Sequence, residues 1–277
     1  MNAYGIDTWI YISLPIEEAL KRLEEKGIKY IEFSYEHFSN LKKREDFLRR
    51  AKEVNEVLST LTIKPIQMHA IFGEIDSRLC SKDTSVREKA LEELKLWIEF
   101  CSLLDSEVLV VHTAMDKLQL NEDFTNFCNR LRDANIQAFS VLVKHASEYN
   151  IKLAVENRLE NIFGATPRDL IALIEETDPD FIGVCFDTGH ANVRGLNLIE
   201  FVKEIKDYLI ATHIHDNNGR NDLHLPPLMG NISWHQLMKI MKTSYNKPLI
   251  LEIAGHKDIA ICDNHIELSK VVMNYLL

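Results

Sequence analysis

A closed parallel (β/α)8 barrel is the fold this sequence predicts, on three observations. Eight short apolar or β-branched runs alternate with longer amphipathic segments along the 277 residues. No Gly/Ser/Pro-rich linker, charge block or break in composition interrupts the alternation, so residues 1–277 read as one barrel domain. The first run is followed by Asp7-Thr8-Trp9, not by the G-x-G-x-x-G loop that an open doubly wound sheet usually carries there.

The expected strands are 4–8, 30–33, 66–69, 108–112, 153–156, 183–187, 211–215 and 249–253, each short and rich in Val, Ile, Leu or aromatic residues. The segments between them carry helix signals. Ser13 and Pro15 open the first helix and Gly27 closes it. Residues 86–104 form the clearest amphipathic helix, with Leu91, Leu94, Ile98 and Cys101 at helical spacing. Thr166-Pro167 pairs a capping hydroxyl with proline at the first helical position, and Ser233 can cap a helix starting at Trp234.

Composition narrows the function classes. With 46% hydrophobic and 27% charged residues the chain can bury a large core. No apolar run reaches the roughly 18–20 residues that span a bilayer, so no membrane partner is expected. The start, Met1-Asn2-Ala3-Tyr4-Gly5-Ile6, lacks the basic head and long apolar core of a signal peptide. Cys80, Cys101, Cys128, Cys185 and Cys262 are odd in number and form no C-x-x-C pair, which fits reduced thiols in a cytoplasmic protein. A net charge of −10 gives no general attraction to nucleic acid, although a local basic patch is compatible with that sum.

The strand ends carry the chemistry, because barrels of this kind place their active sites at the carboxyl ends of the strands. The third to eighth strands end in, or carry near their ends, His69, His112, Glu156, Asp187, His213 and Glu252. With 42 acidic residues and 11 histidines among 277, about one residue in five is of this kind, so six in succession is a strong signal. Glu156, Asp187 and Glu252 would share one barrel mouth. Two like charges 4 Å apart repel by about 4 kcal/mol at an effective dielectric near 20. Three carboxylates there need protons or a cation, and neighbouring imidazoles point to a borderline metal such as zinc, manganese, iron or cobalt. Further acids and imidazoles follow in Asp187-Thr188-Gly189-His190, in His213-Ile214-His215-Asp216-Asn217 and in Asp222-Leu223-His224. His215 shares a face with His213; hydrogen bonding within the barrel is its simpler role, a reserve ligand its other. Asn157 can orient a ligand or simply end a strand. Phe72 and Trp9 can wall a pocket or serve as packing.

Along nearly its whole length the chain resembles the xylose-isomerase-like barrel superfamily, which contains sugar and sugar-phosphate isomerases and epimerases together with endonuclease IV. The superfamily's ligand motifs fall on His69, His112, Glu156, Asp187, His190, His213, Asp222, His224 and Glu252. The resemblance implies that Glu156, Asp187, His213 and Glu252 hold a single ion, as in the simpler isomerases and epimerases. The wider set resembles the trinuclear zinc site of endonuclease IV, so His69, His112, His190, Asp222 and His224 are candidates for a second or third ion. It also places Arg220 where several relatives have a substrate-contacting arginine, and Glu160 near a substrate-contacting glutamate. His190 joins them as a candidate for holding substrate hydroxyls. Residues 70–73 through 87–91 resemble the sugar-isomerase branch. Two departures stand out. Phe33-Ser34-Tyr35-Glu36-His37-Phe38 lacks the aromatic and basic DNA-facing segment of endonuclease IV, and Pro226-Pro227-Leu228-Met229-Gly230 lacks the first glycine of the relatives' Pro-Pro-Gly-x-Gly loop.

The expected function is therefore a metal-dependent isomerase or epimerase of a small sugar, sugar phosphate or polyol ketone, with Glu156 and Glu252 as the proton-transfer pair. A rival is an endonuclease IV-like multi-zinc hydrolase of phosphodiesters in abasic DNA. A third class is a non-catalytic barrel that binds a small molecule.

Overall fold

The computed structural model describes residues 3–118 and 120–277; Met1 and Asn2, from the amino-terminal stretch read above, lie outside the described residues. The strands are β1 (Tyr4–Asp7), β2 (Tyr30–Phe33), β3 (Lys64–His69), β4 (Val108–Val111), β5 (Lys152–Glu156), β6 (Ile182–Asp187), β7 (Leu209–His213) and β8 (Leu249–Leu251). Around them lie α1 (Ile16–Glu25), α2 (Arg44–Leu58), α3 (Glu74–Leu79), α4 (Thr84–Leu103), α5 (Phe124–Glu148), α6 (Pro167–Glu175), α7 (Thr188–Val193), α8 (Leu198–Ile205), α9 (Trp234–Ser244) and α10 (Ile259–Leu276).

The eight strands form one sheet in the order β7-β6-β5-β4-β3-β2-β1-β8, every ladder parallel. Its two edges meet through a single parallel bridge, Ile214 opposite Leu251, which closes the (β/α)8 barrel. Ile214 N donates to Ile250 O at 2.8 Å and Glu252 N to Ile214 O at 3.2 Å. Next to this bridge the Thr212 hydroxyl accepts from Ile250 N at 3.1 Å, replacing a ladder bond the short seam does not supply.

Strand alternation sorts the side chains into two layers. Ile31, Phe33, Met68, Leu109, Leu153, Val155, Val184 and Phe186 belong to the large cluster between sheet and helices. Val108, Val110, Ala154, Cys185 and Ala211 form a separate small cluster on the other face, inside the barrel. Each inward series runs on into a polar residue two positions later: Val110 to His112, Ala154 to Glu156, Cys185 to Asp187, Ala211 to His213. The period of two that builds the core thus also aims the site.

Element starts follow local chemistry. Thr8 leaves the first strand because the Asp7 side chain accepts from Trp9 N at 2.7 Å and starts a 3-10 turn over Thr8–Tyr11. α4 begins before the expected residue 86 because Asp83 accepts from Ser85 N. Thr166 caps α6 through Asp169 N as expected. Two cap expectations differ. Ser233 occupies the cap position of α9 without a capping hydrogen bond. Ser13 turns its hydroxyl to His256 O, and α1 starts after Pro15 with no side-chain cap. Among the described residues no helix is long and apolar enough to cross a membrane.

Candidate metal centre

Glu156, the last residue of β5 and 2% exposed, is the hub of the barrel mouth. Its Oε2 lies 2.9 Å from His112 Nε2 and 3.2 Å from His69 Nε2. Its Oε1 lies 3.2 Å from His213 Nδ1 and 3.3 Å from His190 Nδ1. His213 Nδ1 is also 3.6 Å from Glu252 Oε2 and 3.8 Å from Asp187 Oδ2. One donor atom each from Glu156, Asp187, His213 and Glu252 falls within 4.8 Å of the others, as do His69, Glu156 and His213.

His69 and His213 are anchored on the side away from the cluster, while His190 and His224 meet a backbone carbonyl with the same Nδ1 that faces a carboxylate. His69 Nδ1 donates to Ala70 O at 2.7 Å, and His190 Nδ1 contacts Asn157 O at 2.9 Å. His224 Nδ1 lies 3.2 Å from Glu252 O, and His213 Nε2 faces both Glu32 oxygens at 3.1 and 3.0 Å. Such outer contacts fix ring orientation and ligand basicity. Asn157 acts through the backbone: its amide donates to Asp187 O and accepts from Asp187 N, tying the ends of β5 and β6 together.

A second cluster adjoins the first. His215, Asp222 and His224 bring donor atoms within 4.8 Å of one another. Asp222 Oδ2 lies 3.0 Å from His224 Nε2 and 3.3 Å from His190 Nε2. His215 hydrogen-bonds inside the barrel, Nε2 to Asp187 Oδ2 at 3.0 Å, and its ring stacks on His224 with centroids 4.0 Å apart. Gly189 makes room for it: a Cβ there would sit 1.9 Å from His215 Cε1.

The residues present fit a divalent ion. Among the described residues, every ion pair of Glu156, Asp187, Asp222 and Glu252 is with an imidazole, none with Lys or Arg. His213 Nδ1 and Glu252 Oε2 are buried without a hydrogen-bond partner, and so are His215 Nδ1 and Asp222 Oδ1, which lie 3.8 Å apart. Buried unpaired polar atoms are costly, and a cation shared between nitrogen and oxygen donors satisfies both kinds.

Without an ion, protons hold the charges together. Burial would raise the Glu156 carboxyl, but the charges on His213 and His112 outweigh it and hold it well below the usual carboxylate range. Glu252 is depressed in the same way, burial losing to His213 and His224. Burial would lower His69, yet its hydrogen bond to Glu156 and that group's charge push it up to about 9. His190 rises to about 10, against burial, under Asp187 and Asp222.

All nine residues of the expected ligand set therefore meet at one mouth. The expected substrate contacts are placed less uniformly. Phe72 and Trp9 border a cavity of about 80 Å3 beside His69, His224 and Glu252. Phe72 packs edge-on to His69, and Trp9 edge-on to His224 at 5.1 Å between centroids. Glu160 is exposed and turned to Arg158 at 3.0 Å, and Arg220 is exposed on the loop after β7; neither borders the cavity. Larger grooves, of about 810 and 700 Å3, lie away from the cluster, at the amino-terminal strand ends near Pro65 and Lys247 and between α4 and α5.

Three site features are absent from the sequence expectations. Glu32, fully buried on β2, accepts from Gln67 at 2.7 Å and holds His213. Asp7 ends β1 and borders the cavity, 2% exposed. Asp76 on α3 lies 3.5 Å from His112 Nδ1 and 2.9 Å from Arg158 Nη1. Burial would raise Asp76, but His112 and Arg158 hold it below its usual range. Glu32 interrupts the run Tyr30-Ile31-Glu32-Phe33 at the inward parity, a signal that could have found it. The Asp76 contact has no comparable signal.

The loop after β7, which carries Asp222 and His224, is pinned by the buried Asp216 carboxylate. Its oxygens accept from Asn217 N, Gly230 N, Ile232 N and Trp234 Nε1 at 2.9, 2.9, 3.2 and 2.7 Å. Gly230 is required by close approach, since a Cβ there would meet Asn217 O at 2.1 Å. Leu228, where the resemblance leads one to expect glycine, keeps the left-handed conformation at φ 69°. A non-glycine residue thus carries the left-handed position of this loop.

The fold is shared with known proteins. A crystal structure of a D-tagatose 3-epimerase-like protein superposes with a TM-score of 0.79 at 25% identity, covering 99% of this chain and 98% of that one. An uncharacterised protein of Methanocaldococcus jannaschii is 28% identical over 92% of this chain and 85% of its own length. A probable endonuclease 4 of Sulfurihydrogenibium sp. is 25% identical over 65% of each chain. The sequence pattern of the xylose isomerase-like TIM barrel family matches residues 20–271, and with a closed (β/α)8 barrel around its strand-end cluster the chain belongs to that family.

Proposed function

We propose that the protein is a metal-dependent isomerase or epimerase of a small sugar, sugar phosphate or related polyol ketone. The observation that carries this reading is the convergence of Glu156, Asp187, His213 and Glu252, with His213 Nδ1 and Glu252 Oε2 buried and unpaired. These four would hold one divalent ion, of zinc, manganese, cobalt or iron type. When bound, such an ion polarises a carbonyl and acidifies the neighbouring C–H bond.

The two glutamates are not equivalent in their surroundings. Both Glu156 oxygens have imidazole nitrogens within 3.3 Å, whereas Glu252 Oε2 has them only at 3.4–3.9 Å and no hydrogen-bond partner, and the residue borders the cavity. Glu252 is thus the better placed to take the proton from carbon, and Glu156, once it has received a proton from the protonated His69 at 3.2 Å, to return one to the opposite face. Both carboxyls lie below their usual range, so both are ionised at neutral pH and are weak bases. Much of the driving force must come from the polarised carbonyl.

A second reading has its own support. The His215, Asp222 and His224 group gives room for another ion, as phosphodiester hydrolysis by clustered metals requires. The discriminating experiment is incubation of metal-loaded protein with ketoses and ketose phosphates in D2O. Deuterium on carbon, abolished by Glu252→Gln with metal occupancy confirmed, is the expected result. Metal-dependent cleavage of an abasic-site duplex with no deuterium incorporated would replace the isomerase reading with the hydrolase one. Elemental analysis of Asp222→Ala separates the ion counts: unchanged metal content removes the support for the additional ion.

A further inference from the structure

His112, the residue after β4, has a carboxylate facing each of its two ring nitrogens. Nε2 lies 2.9 Å from Glu156 Oε2, inside the cluster. Nδ1 lies 3.5 Å from Asp76 Oδ2 and is buried with no hydrogen-bond partner among the described residues. The ring has little freedom to turn elsewhere, since Phe72 lies against it at 4.8 Å between centroids and His69 meets it edge-on at 5.2 Å. At 3.5 Å the Asp76 contact falls outside the roughly 2.7–3.2 Å of an N–H···O bond, and a movement of about 0.5 Å brings it inside.

Asp76 is built into this place. It is 2% exposed on α3, and its Oδ2 accepts from Gly73 N at 3.2 Å and from Arg158 Nη1 at 2.9 Å. Its backbone oxygen accepts from Met115 N at 3.1 Å, which ties α3 to the chain leaving β4. Gly73 has φ 89°, so the turn that delivers its N–H to Asp76 depends on glycine. Arg158, 5% exposed, follows Glu156 by two positions, and its Nε holds Glu160 at 3.0 Å. The end of β5 therefore serves both sides of the His112 ring: Glu156 directly at Nε2, and Asp76, through Arg158, at Nδ1.

A neutral imidazole carries one proton, so the partner of one nitrogen decides what the other presents. With its proton on Nδ1, His112 offers the cluster a lone pair at Nε2; with its proton on Nε2, it can only donate to Glu156. Resting on the reading of the mouth as a metal centre, we propose that Asp76 is the positioning residue of His112. It takes the Nδ1 proton, with Arg158 holding the carboxylate in place, so that the ring turns Nε2 to the cluster as an ion ligand and not as a hydrogen-bond donor. The affinity of the mouth for a divalent ion then depends on α3, a helix that contributes no ligand of its own.

Two measurements on the full chain test this. In the first, zinc is competed against a chromogenic chelator. Asp76→Ala should weaken zinc binding about 10- to 100-fold, and Asp76→Asn, which keeps an oxygen acceptor for Nδ1–H, should recover part of that loss. Pairing each variant with His112→Ala separates positioning from a merely structural role. Once the imidazole is gone, changing Asp76 should cost no further affinity, whereas a structural defect would persist. Should Asp76→Ala fail to fold, Asp76→Asn carries the same comparison. Unchanged affinity, or an equal loss with and without His112, overturns the proposal. The second measurement needs no ion: long-range nitrogen–proton NMR of the imidazoles in metal-free protein near neutral pH, with His112→Ala for assignment. Nδ1 of His112 should be protonated in wild type and bare in Asp76→Ala, where the proton moves to Nε2 beside Glu156. A bare Nδ1 in wild type, or the same pattern in both proteins, overturns the proposal. If the wild-type chain takes up no zinc, the reading of the mouth as a metal centre fails, and the position of the His112 proton alone decides the role of Asp76.

Discussion

Asp216→Asn puts the loop that carries Asp222 and His224 to a direct test. The native carboxylate accepts four hydrogen bonds, two on each oxygen, from Asn217 N and Ile232 N on one and Gly230 N and Trp234 Nε1 on the other. An asparagine amide keeps one acceptor oxygen and turns an NH2 toward the other pair of donors, whichever way it is flipped. Two charge-assisted bonds are lost at about 1.5–3 kcal/mol each, so the variant should lose roughly 3–6 kcal/mol. For a protein of this size 1 kcal/mol moves the melting temperature by about 2–4 °C, so the fall should be on the order of 10 °C. Urea unfolding of wild type and variant measures the loss, with the exposed Asp207→Asn as a control for simple charge removal. A loss below about 1 kcal/mol, or no greater than the control's, would show that Asp216 does not clasp the loop.

Glu32→Gln should weaken divalent metal binding about 10- to 100-fold, because His213 loses its charged anchor; competition with a chromogenic chelator reads this, and an unchanged affinity counts against the anchoring role. Leu228→Gly should stabilise by up to about 1 kcal/mol, since roughly 1–2 kcal/mol of left-handed strain is relieved and about 0.5–1 kcal/mol is returned as chain entropy; a lower urea midpoint contradicts the strain. The metal-free protein should lose thermal stability as pH rises. His69 near 9 and His190 near 10 lie above the unfolded value of about 6.5, so their contribution is complete below that value and disappears as pH passes through 9–10. Added zinc or manganese should flatten that slope by taking the place of the protons, and a metal-free melting temperature that is level from about pH 7 to 10 refutes the coupling.

What could be read from sequence, and what could not, follows from how far apart the deciding residues lie. Barrel strands are local objects, and all eight were legible because short apolar runs and helix signals alternate with little interruption. The six residues from His69 to Glu252 that meet at the mouth were legible because the carboxyl ends of strands three to eight display them directly, whereas His190, Asp222 and His224 lie beyond the strands and were indicated by the resemblance. Ser13 and Ser233 were misread for the opposite reason: a capping residue type does not specify a capping rotamer, and Ser13 finds a partner on a loop 243 residues away. Glu32 hides inside a run that ends on Phe33, so attention to the last residue of each strand passes over it. Asp7 hides as the residue that ends β1 and starts a turn. Asp76 reaches His112 only because α3 packs over the barrel mouth, a tertiary placement that no spacing encodes.

A single rule still recovers most of what was passed over. Inward residues alternate along each strand, so the residue type that follows a small interior side chain by two positions is the one presented to the mouth. Ala154, Cys185 and Ala211 lead to Glu156, Asp187 and His213 in this way. The same parity puts Gly5 two residues before Asp7 on β1, and Gln67 two residues before His69 on β3. Glu32 sits at the level of Gln67, one layer deeper than the residues at the mouth, which is why it meets the far nitrogen of His213 while the near nitrogen is left for the cluster. The deeper carboxylate and the small residues around it therefore serve one purpose: they set the height and the facing nitrogen of His213. A substitution that enlarges Ala211 or Cys185 should disturb the cluster as surely as one in a ligand, although neither residue carries any chemistry of its own.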